Sequence, residues 1–94
     1  MKTTMDDAFR WNDWNLDHIA IHGVIPAEAE YVVDHAKPPY PEQIGDQKWR
    51  VRGRTGAGRY LQVIFLFDPD GTIFVIHARG LTHQELRQFR RRTR

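Results

Sequence analysis

Arginine and histidine recur at alternate positions in the second half of this 94-residue chain. Arg50, Arg52 and Arg54 alternate with other residues in one stretch, and His77 and Arg79 do so in another. An arginine fork binds two phosphate oxygens at once, and an imidazole titrates near neutral pH and can act as acid or base. Cleavage of an RNA phosphodiester by its own 2′-hydroxyl needs a base, a proton for the leaving 5′-oxygen and positive charge around phosphorus. These side chains predict that chemistry, with no metal ion and no cofactor.

Three predicted strands within residues 48–79 must position these side chains. The first covers 48–55 and the second 59–67, with a Gly-Ala-Gly loop between them. An Asp-Pro-Asp-Gly turn leads to the third strand, 72–79. The loop lengths place position 54 opposite 60 and position 65 opposite 74, so that apolar residues meet apolar residues across both hairpins.

This register places the candidate RNA-binding and catalytic side chains on one face of the sheet. Its rows are Arg54 with Tyr60 and Arg79, then Arg52 with Gln62 and His77, then Arg50 with Ile64 and Val75. Tyr60 can stack on a base or donate a hydrogen bond. Alternatively, His77 is a half-buried structural histidine that is hydrogen-bonded to Gln62.

The rest of the chain predicts an α+β fold with two N-terminal helices, an antiparallel sheet of three or four strands and a C-terminal helix. Residues 1–94 form one domain, and the first eight residues are expected to be frayed. The predicted elements are a helix over 9–23 with Asn12 or Asp13 as its cap and Gly23 at its end, a helix over 26–35, an exposed connector over 36–47, and a basic helix over 82–93 that opens with the capping box Thr82 and Glu85.

Charge is distributed unevenly along the chain. Residues 1–47 carry three Lys/Arg and nine Asp/Glu, whereas residues 48–94 carry eleven and three. A basic half of this kind favours binding to a polyanion, although arginines also protect strands from aggregation. The basic tail, with Arg90, Arg91 and Arg92, is either solvated or binds nucleic acid or an acidic partner. The chain lacks cysteine and long apolar segments, so we expect a cytoplasmic protein that does not enter membranes.

Two further histidines on the first helix have the spacing of metal ligands. His18 and His22 are four residues apart, but no third ligand lies nearby in the sequence. His22, next to Gly23, can instead satisfy carbonyls at the helix end or reach the predicted site. We expect His35 and His83 to be surface residues.

An ordered set of short motifs, covering about residues 9–92, resembles the BrnT-type toxins of type II toxin–antitoxin systems. The motifs are FRWN, NLDHIAIHGV, GRT, GRYLQVIF, IHAR and LTHQELRQFRR. The resemblance implies a RelE-like ribonuclease, a hydrolase, that is neutralised by a ribbon-helix-helix antitoxin which also binds operator DNA. It implies functional roles for His22, Arg54, Arg59 and Arg79. The chain departs from the family at Ile21, where a lysine is usual, and at His77, where many members have serine.

Two alternatives remain open. The chain can be a binding module that keeps the fold and the basic face without catalysis. In addition, the apolar end of the same face needs a cover: the C-terminal helix through Leu86 and Phe89, an antitoxin segment, or a second copy of the chain in a homodimer. The apolar residues concerned are Ile64, Leu66, Ile73 and Val75.

Overall fold

The computed structural model describes residues 8–93, which form three helices and five strands. In chain order these are β1 (Phe9–Arg10), α1 (Asp13–Ala20), α2 (Pro26–Asp34), β2 (Glu42–Gly45), β3 (Lys48–Arg54), β4 (Tyr60–Phe67), β5 (Ile73–Gly80) and α3 (His83–Thr93). The predicted α+β class is confirmed. The longest described helix has 11 residues, and no helix in 8–93 is long and apolar enough to cross a membrane. Apart from Ala8, the predicted frayed end lies outside the described residues.

The sheet has five strands in the order β1-β5-β4-β3-β2, and it is mixed rather than purely antiparallel. Strand β1 lies parallel to β5, and every other neighbouring pair is antiparallel. The three predicted strands are present and antiparallel, but the prediction is wrong in the number of strands and missed the parallel pairing of β1 with β5. The two strands that the prediction missed are both at the edges, where tertiary contacts decide pairing.

Strand β1 occupies the beginning of the predicted 9–23 helix. Asn12 has an extended backbone and caps α1, accepting a hydrogen bond from the Asn15 backbone N–H at 3.2 Å, while the Asn15 side chain accepts one from the Asn12 N–H at 2.8 Å. This reciprocal cap starts the helix at Asp13, so Phe9 and Arg10 are free to pair with β5. Arg10 also donates two hydrogen bonds to Asp68, at 2.7 and 2.9 Å.

Strand β2 lies inside the predicted connector. Glu42 pairs with Arg50, and the Arg50 Nε and Nη2 atoms donate to Glu42 Oε1 at 2.8 and 2.7 Å. Four residues without apolar alternation carry no strand signal of their own, so this pairing depends on the neighbouring strand. Pro41 precedes the strand and has no N–H to donate, which is consistent with the ladder ending at Glu42.

The register predicted for the first hairpin is confirmed. Arg54 pairs with Tyr60, Arg52 with Gln62 and Arg50 with Ile64. Beyond the ladder, the Thr55 N–H donates to the Arg59 carbonyl at 2.8 Å and closes the turn. Turn length and hydrophobic alternation both favour this register, because a slip of one residue would turn the arginines into the core.

The register predicted for the second hairpin is wrong. His77 pairs with Ile64, Arg79 pairs with Gln62, and Phe65 pairs with Val75, with a bulge between the two sections. The turn is one residue longer than predicted, because Thr72 is held by Asp68 and Asp70 through its hydroxyl, and the bulge adds a second residue. Val75 is consequently fully buried opposite Phe65, not on the exposed face.

The core lies between one face of β3, β4 and β5 and the helices α1 and α2. Twelve buried apolar residues form it: Phe9, Ile19, Val24, Ala29, Val32, Tyr40, Val51, Leu61, Val63, Phe65, Val75 and Ala78. Gly53 allows α2 to approach β3 closely, since a Cβ built there would lie 3.3 Å from Val32 Cγ1. The apolar contacts hold α1 and α2 against one side of the sheet. The other side, which carries Arg50, Arg52 and Arg54 and is called the arginine face below, is left to α3.

Candidate functional site

Helix α3 covers the arginine face, and Glu85 makes the central contact. The Thr82–Glu85 capping box is confirmed: the Thr82 N–H donates to Glu85 at 2.9 Å, and the Glu85 N–H donates to Thr82 at 3.1 Å. The same carboxylate accepts two hydrogen bonds from Arg79, both at 2.7 Å. These bonds lower the pKa of Glu85 to about 2. Arg79 is therefore held by a carboxylate of its own chain.

Arg52 is buried in a polar network beneath α3. Its Nε donates to Gln62 at 3.0 Å, its Nη1 donates to Gln88 of α3 at 3.3 Å, and Glu85 lies 3.5 Å from Nη2. Only 7% of Arg52 is exposed, and 5% of Gln62. The predicted RNA-binding residues Arg52 and Gln62 thus have partners inside the molecule, and Gln62 is hydrogen-bonded to Arg52 rather than to His77.

Arg59 holds the end of α1. It donates from Nη1 to the Gly23 carbonyl at 2.7 Å and from Nη2 to the His22 carbonyl at 3.0 Å. It also lies 3.5 Å from Glu28 of α2. The guanidinium thus satisfies two carbonyls of the turn that follows α1. In this structure Arg59 positions the backbone of His22.

His22 and His77 come together although they are 55 positions apart. Their ring centroids are 5.4 Å apart and the rings meet edge to face. Partial burial lowers the pKa of His77, and the positive charges of Arg79, His22 and His18 lower it further. His77 is therefore a neutral imidazole, able to accept a proton, at neutral pH. His22 is exposed to solvent.

The aromatic surface beside this pair was not predicted as part of a site. Trp14 is 53% exposed and stacks on His18, with centroids 4.7 Å apart, and on Phe74 of β5 at 5.9 Å. The signal that could have indicated it is the spacing of four residues between Trp14 and His18 in α1 and between His18 and His22, which follows the end of α1. Within residues 8–93 no group of three His, Cys, Asp or Glu side chains is placed to hold a metal ion.

Arg54 and Tyr60 lie in a different place from the histidine pair. They line a cleft of about 570 Å³, and neither His22 nor His77 contributes to it. The Arg54 guanidinium carbon lies 5.5 Å from the Tyr60 ring centroid, and that of Arg90 lies at 5.7 Å. Helix α3 contacts the sheet along the row of Arg52 and Arg79. These contacts separate the histidine pair from Arg54 and Tyr60, which the sequence had predicted to form one site with it.

The other basic residues divide between ion pairs and solvent. Arg50 and Arg92 both bind Glu42, Arg92 at 3.1 Å, and Arg92 also lies over the Tyr40 ring. Arg91 is exposed, and its side chain makes no hydrogen bond or ion pair to any residue in 8–93. Of the predicted site residues on β3 and α3, Arg54, Arg90 and Arg91 are exposed and their side chains form no ion pair with a described residue.

No protein-family model, no curated protein and no solved structure matches the chain.

Proposed function

We propose that the chain is the toxin component of a type II toxin–antitoxin system and that it cleaves RNA without a metal ion. The observation that carries this proposal is the contact between His22 and His77, two imidazoles from separate elements whose rings lie 5.4 Å apart. The sequence motifs that resemble BrnT-type toxins support the same function. The proposal therefore includes a RelE-like fold, a cytoplasmic location and a ribbon-helix-helix antitoxin as partner.

The two imidazoles divide the proton transfers between them. His77, neutral because its pKa is lowered, takes the proton from the 2′-hydroxyl, and the 2′-oxygen attacks phosphorus. The bond from phosphorus to the 5′-oxygen breaks, and His22, as the general acid, gives that oxygen a proton. The products are a 2′,3′-cyclic phosphate and a 5′-hydroxyl end. Arg79, whose charge acts on His77, adds positive potential near the phosphorane.

A cleavage assay with histidine variants tests this mechanism. The His77→Asn and His22→Asn variants should each cleave RNA about 100- to 10,000-fold more slowly, because each loses one proton transfer. His83→Asn is the matched control, since His83 is an exposed histidine at the start of α3 and takes no part in the ring contact between His22 and His77. EDTA should leave the wild-type rate unchanged. Equal rates for all three variants would refute the assignment.

The pH dependence gives a second readout of the same mechanism. A base must be unprotonated, and the pKa of His77 lies below its ordinary value of about 6.5. The rate should therefore stay high as pH falls to about 6.5 and decline only below it. A decline that begins well above pH 7 would contradict His77 as the base.

A binding module without catalysis is the second candidate, and a specific observation favours it. Arg52, Arg59 and Arg79 each bind acceptors of their own chain, and Ile21, beside His22, is 75% exposed where the related toxins carry lysine. This candidate predicts that the two histidine variants retain full activity in a growth-arrest assay, whereas Arg54→Glu loses it. A concentration series by light scattering would show in addition whether the chain forms a homodimer.

A further inference from the structure

The cleft at the outer edge of β3 is open because the neighbouring strand ends early. Strand β2 pairs with β3 only as far as Glu42 and Arg50, and the segment before it contains prolines that cannot extend the ladder. The remainder of β3 therefore borders a cavity of about 570 Å³ between the ends of α2 and α3. This volume falls in the range of small-ligand sites.

The charges around the cleft favour an anionic ligand. Its lining residues are Tyr31, His35, Lys37, Arg52, Gly53, Arg54, Thr55, Gly56, Tyr60, Phe89 and Thr93, and none of them is a carboxylate. Arg54 and Lys37 are exposed, and neither side chain makes a hydrogen bond or ion pair with another described residue. Two cations without acceptors, facing a cavity without acidic residues, match the charge of a phosphate.

Aromatic rings line the same cavity. Tyr31 and His35 stack on each other, with centroids 3.9 Å apart and planes 16° apart, and Tyr31 is 39% exposed. Phe89 meets Tyr60 edge to face at 5.9 Å. Flat rings beside cations are the combination by which proteins hold single-stranded nucleic acid, since bases stack on rings and phosphates bind cations.

We propose that this cleft binds a nucleotide of single-stranded RNA, separately from the histidine pair. The base continues the Tyr31–His35 stack, and Arg54 with Lys37 binds the phosphate. His77 pairs with Ile64 of β4, and Ile64 pairs with Arg50 of β3. Arg50 lies four residues before Arg54, so the cleft and His77 are about 10 Å apart across the sheet and about 13 Å apart along the strands. One strand of RNA can therefore reach both places. The identity of the ligand as RNA rests on the proposed function.

Binding of a fluorescent 2′-O-methyl hexaribonucleotide, followed by anisotropy, tests the cleft. This probe cannot be cleaved through its 2′-oxygen, so binding and catalysis are measured independently. We expect Tyr31→Ala to weaken binding about 5- to 100-fold through the lost stack, and Tyr31→Phe to restore it. Arg54→Ala should weaken binding and reduce the salt dependence by about 0.7 in slope, as for one phosphate contact.

Arg87→Ala is the matched control for charge, because Arg87 is an exposed arginine of α3 outside the cleft lining. It should bind as wild type does. Equal weakening by Arg54→Ala and Arg87→Ala would overturn the proposal, since binding would then follow net charge. Binding of an oligoglutamate peptide that depends on Arg54 and Tyr31, without binding of the hexanucleotide, would overturn it in favour of an acidic protein segment. Loss of cleavage with cleft binding intact would count against the proposed function alone.

Discussion

Glu85 is the carboxylate on which the position of α3 depends, and Glu85→Gln tests its contribution. The residue accepts two hydrogen bonds from Arg79 at 2.7 Å, accepts one from Thr82 and lies 3.5 Å from Arg52. No residue of α3 is fully buried, so these polar contacts, with Phe89, hold the helix to the sheet. Glutamine keeps the shape of the side chain and removes its charge.

The magnitude follows from the pKa. The pKa of Glu85 is about 2 in the folded protein against 4.5 as its ordinary value, a difference that corresponds to about 3 kcal/mol. The side chain keeps 18% of its surface exposed, and water screens the pair, so we expect a loss of about 1–2 kcal/mol at pH 7. With a urea dependence of about 1 kcal/mol per molar, the unfolding midpoint should fall by about 1–2 M.

The pH dependence of this loss has a definite sign. A carboxylate with a lowered pKa stabilises the folded state fully above the unfolded value of 4.5, and this stabilisation is lost as pH falls toward about 2. Wild type and Glu85→Gln should therefore differ at pH 7 and converge between pH 4.5 and 2. Asp17→Asn, an exposed carboxylate on α1 without a side-chain bond in the described structure, is the control. A difference that persists unchanged at pH 2.5, or that is absent at pH 7, would refute the reasoning.

Two further substitutions test how the sheet and helices are joined. Arg59→Ala removes the hydrogen bonds to the His22 and Gly23 carbonyls, and we expect a loss of about 1 kcal/mol in urea unfolding and a cleavage rate about tenfold lower, whereas Arg87→Ala should change neither. Gly53→Ala places a methyl group 3.3 Å from Val32 Cγ1, whose branched side chain is stiff in a helix, and should cost about 1 kcal/mol in the free energy of unfolding. The cost should disappear in a Val32→Ala background, and a cost that remains there would contradict a steric origin.

Local signals were reliable where neighbouring residues supply the partners. The Asn12 cap and the Thr82–Glu85 box lie within one helical turn of the backbone groups they satisfy, and Pro26 lacks an N–H that the first turn of α2 would leave unpaired. The first hairpin is equally local, because a short loop and strict alternation leave one register that buries the apolar side chains. The register predicted for the second hairpin was wrong because side-chain hydrogen bonds extend its turn and its strand contains a bulge. Neither feature has a fixed sequence signal.

The candidate site divides in the same way. The sequence by itself determined the residue types, the α+β class, the arginine ridge of β3 and the basic charge of α3. Only the tertiary structure decided that Arg52 and Arg79 bind Glu85, that Arg59 holds the end of α1, that His22 meets His77, and that α2 and α3 enclose a cleft beside Arg54. The reason is that each of these contacts joins elements distant in sequence or depends on how α3 docks. Alternation within a strand specifies which face of the sheet a side chain lies on, but it does not specify what covers that face.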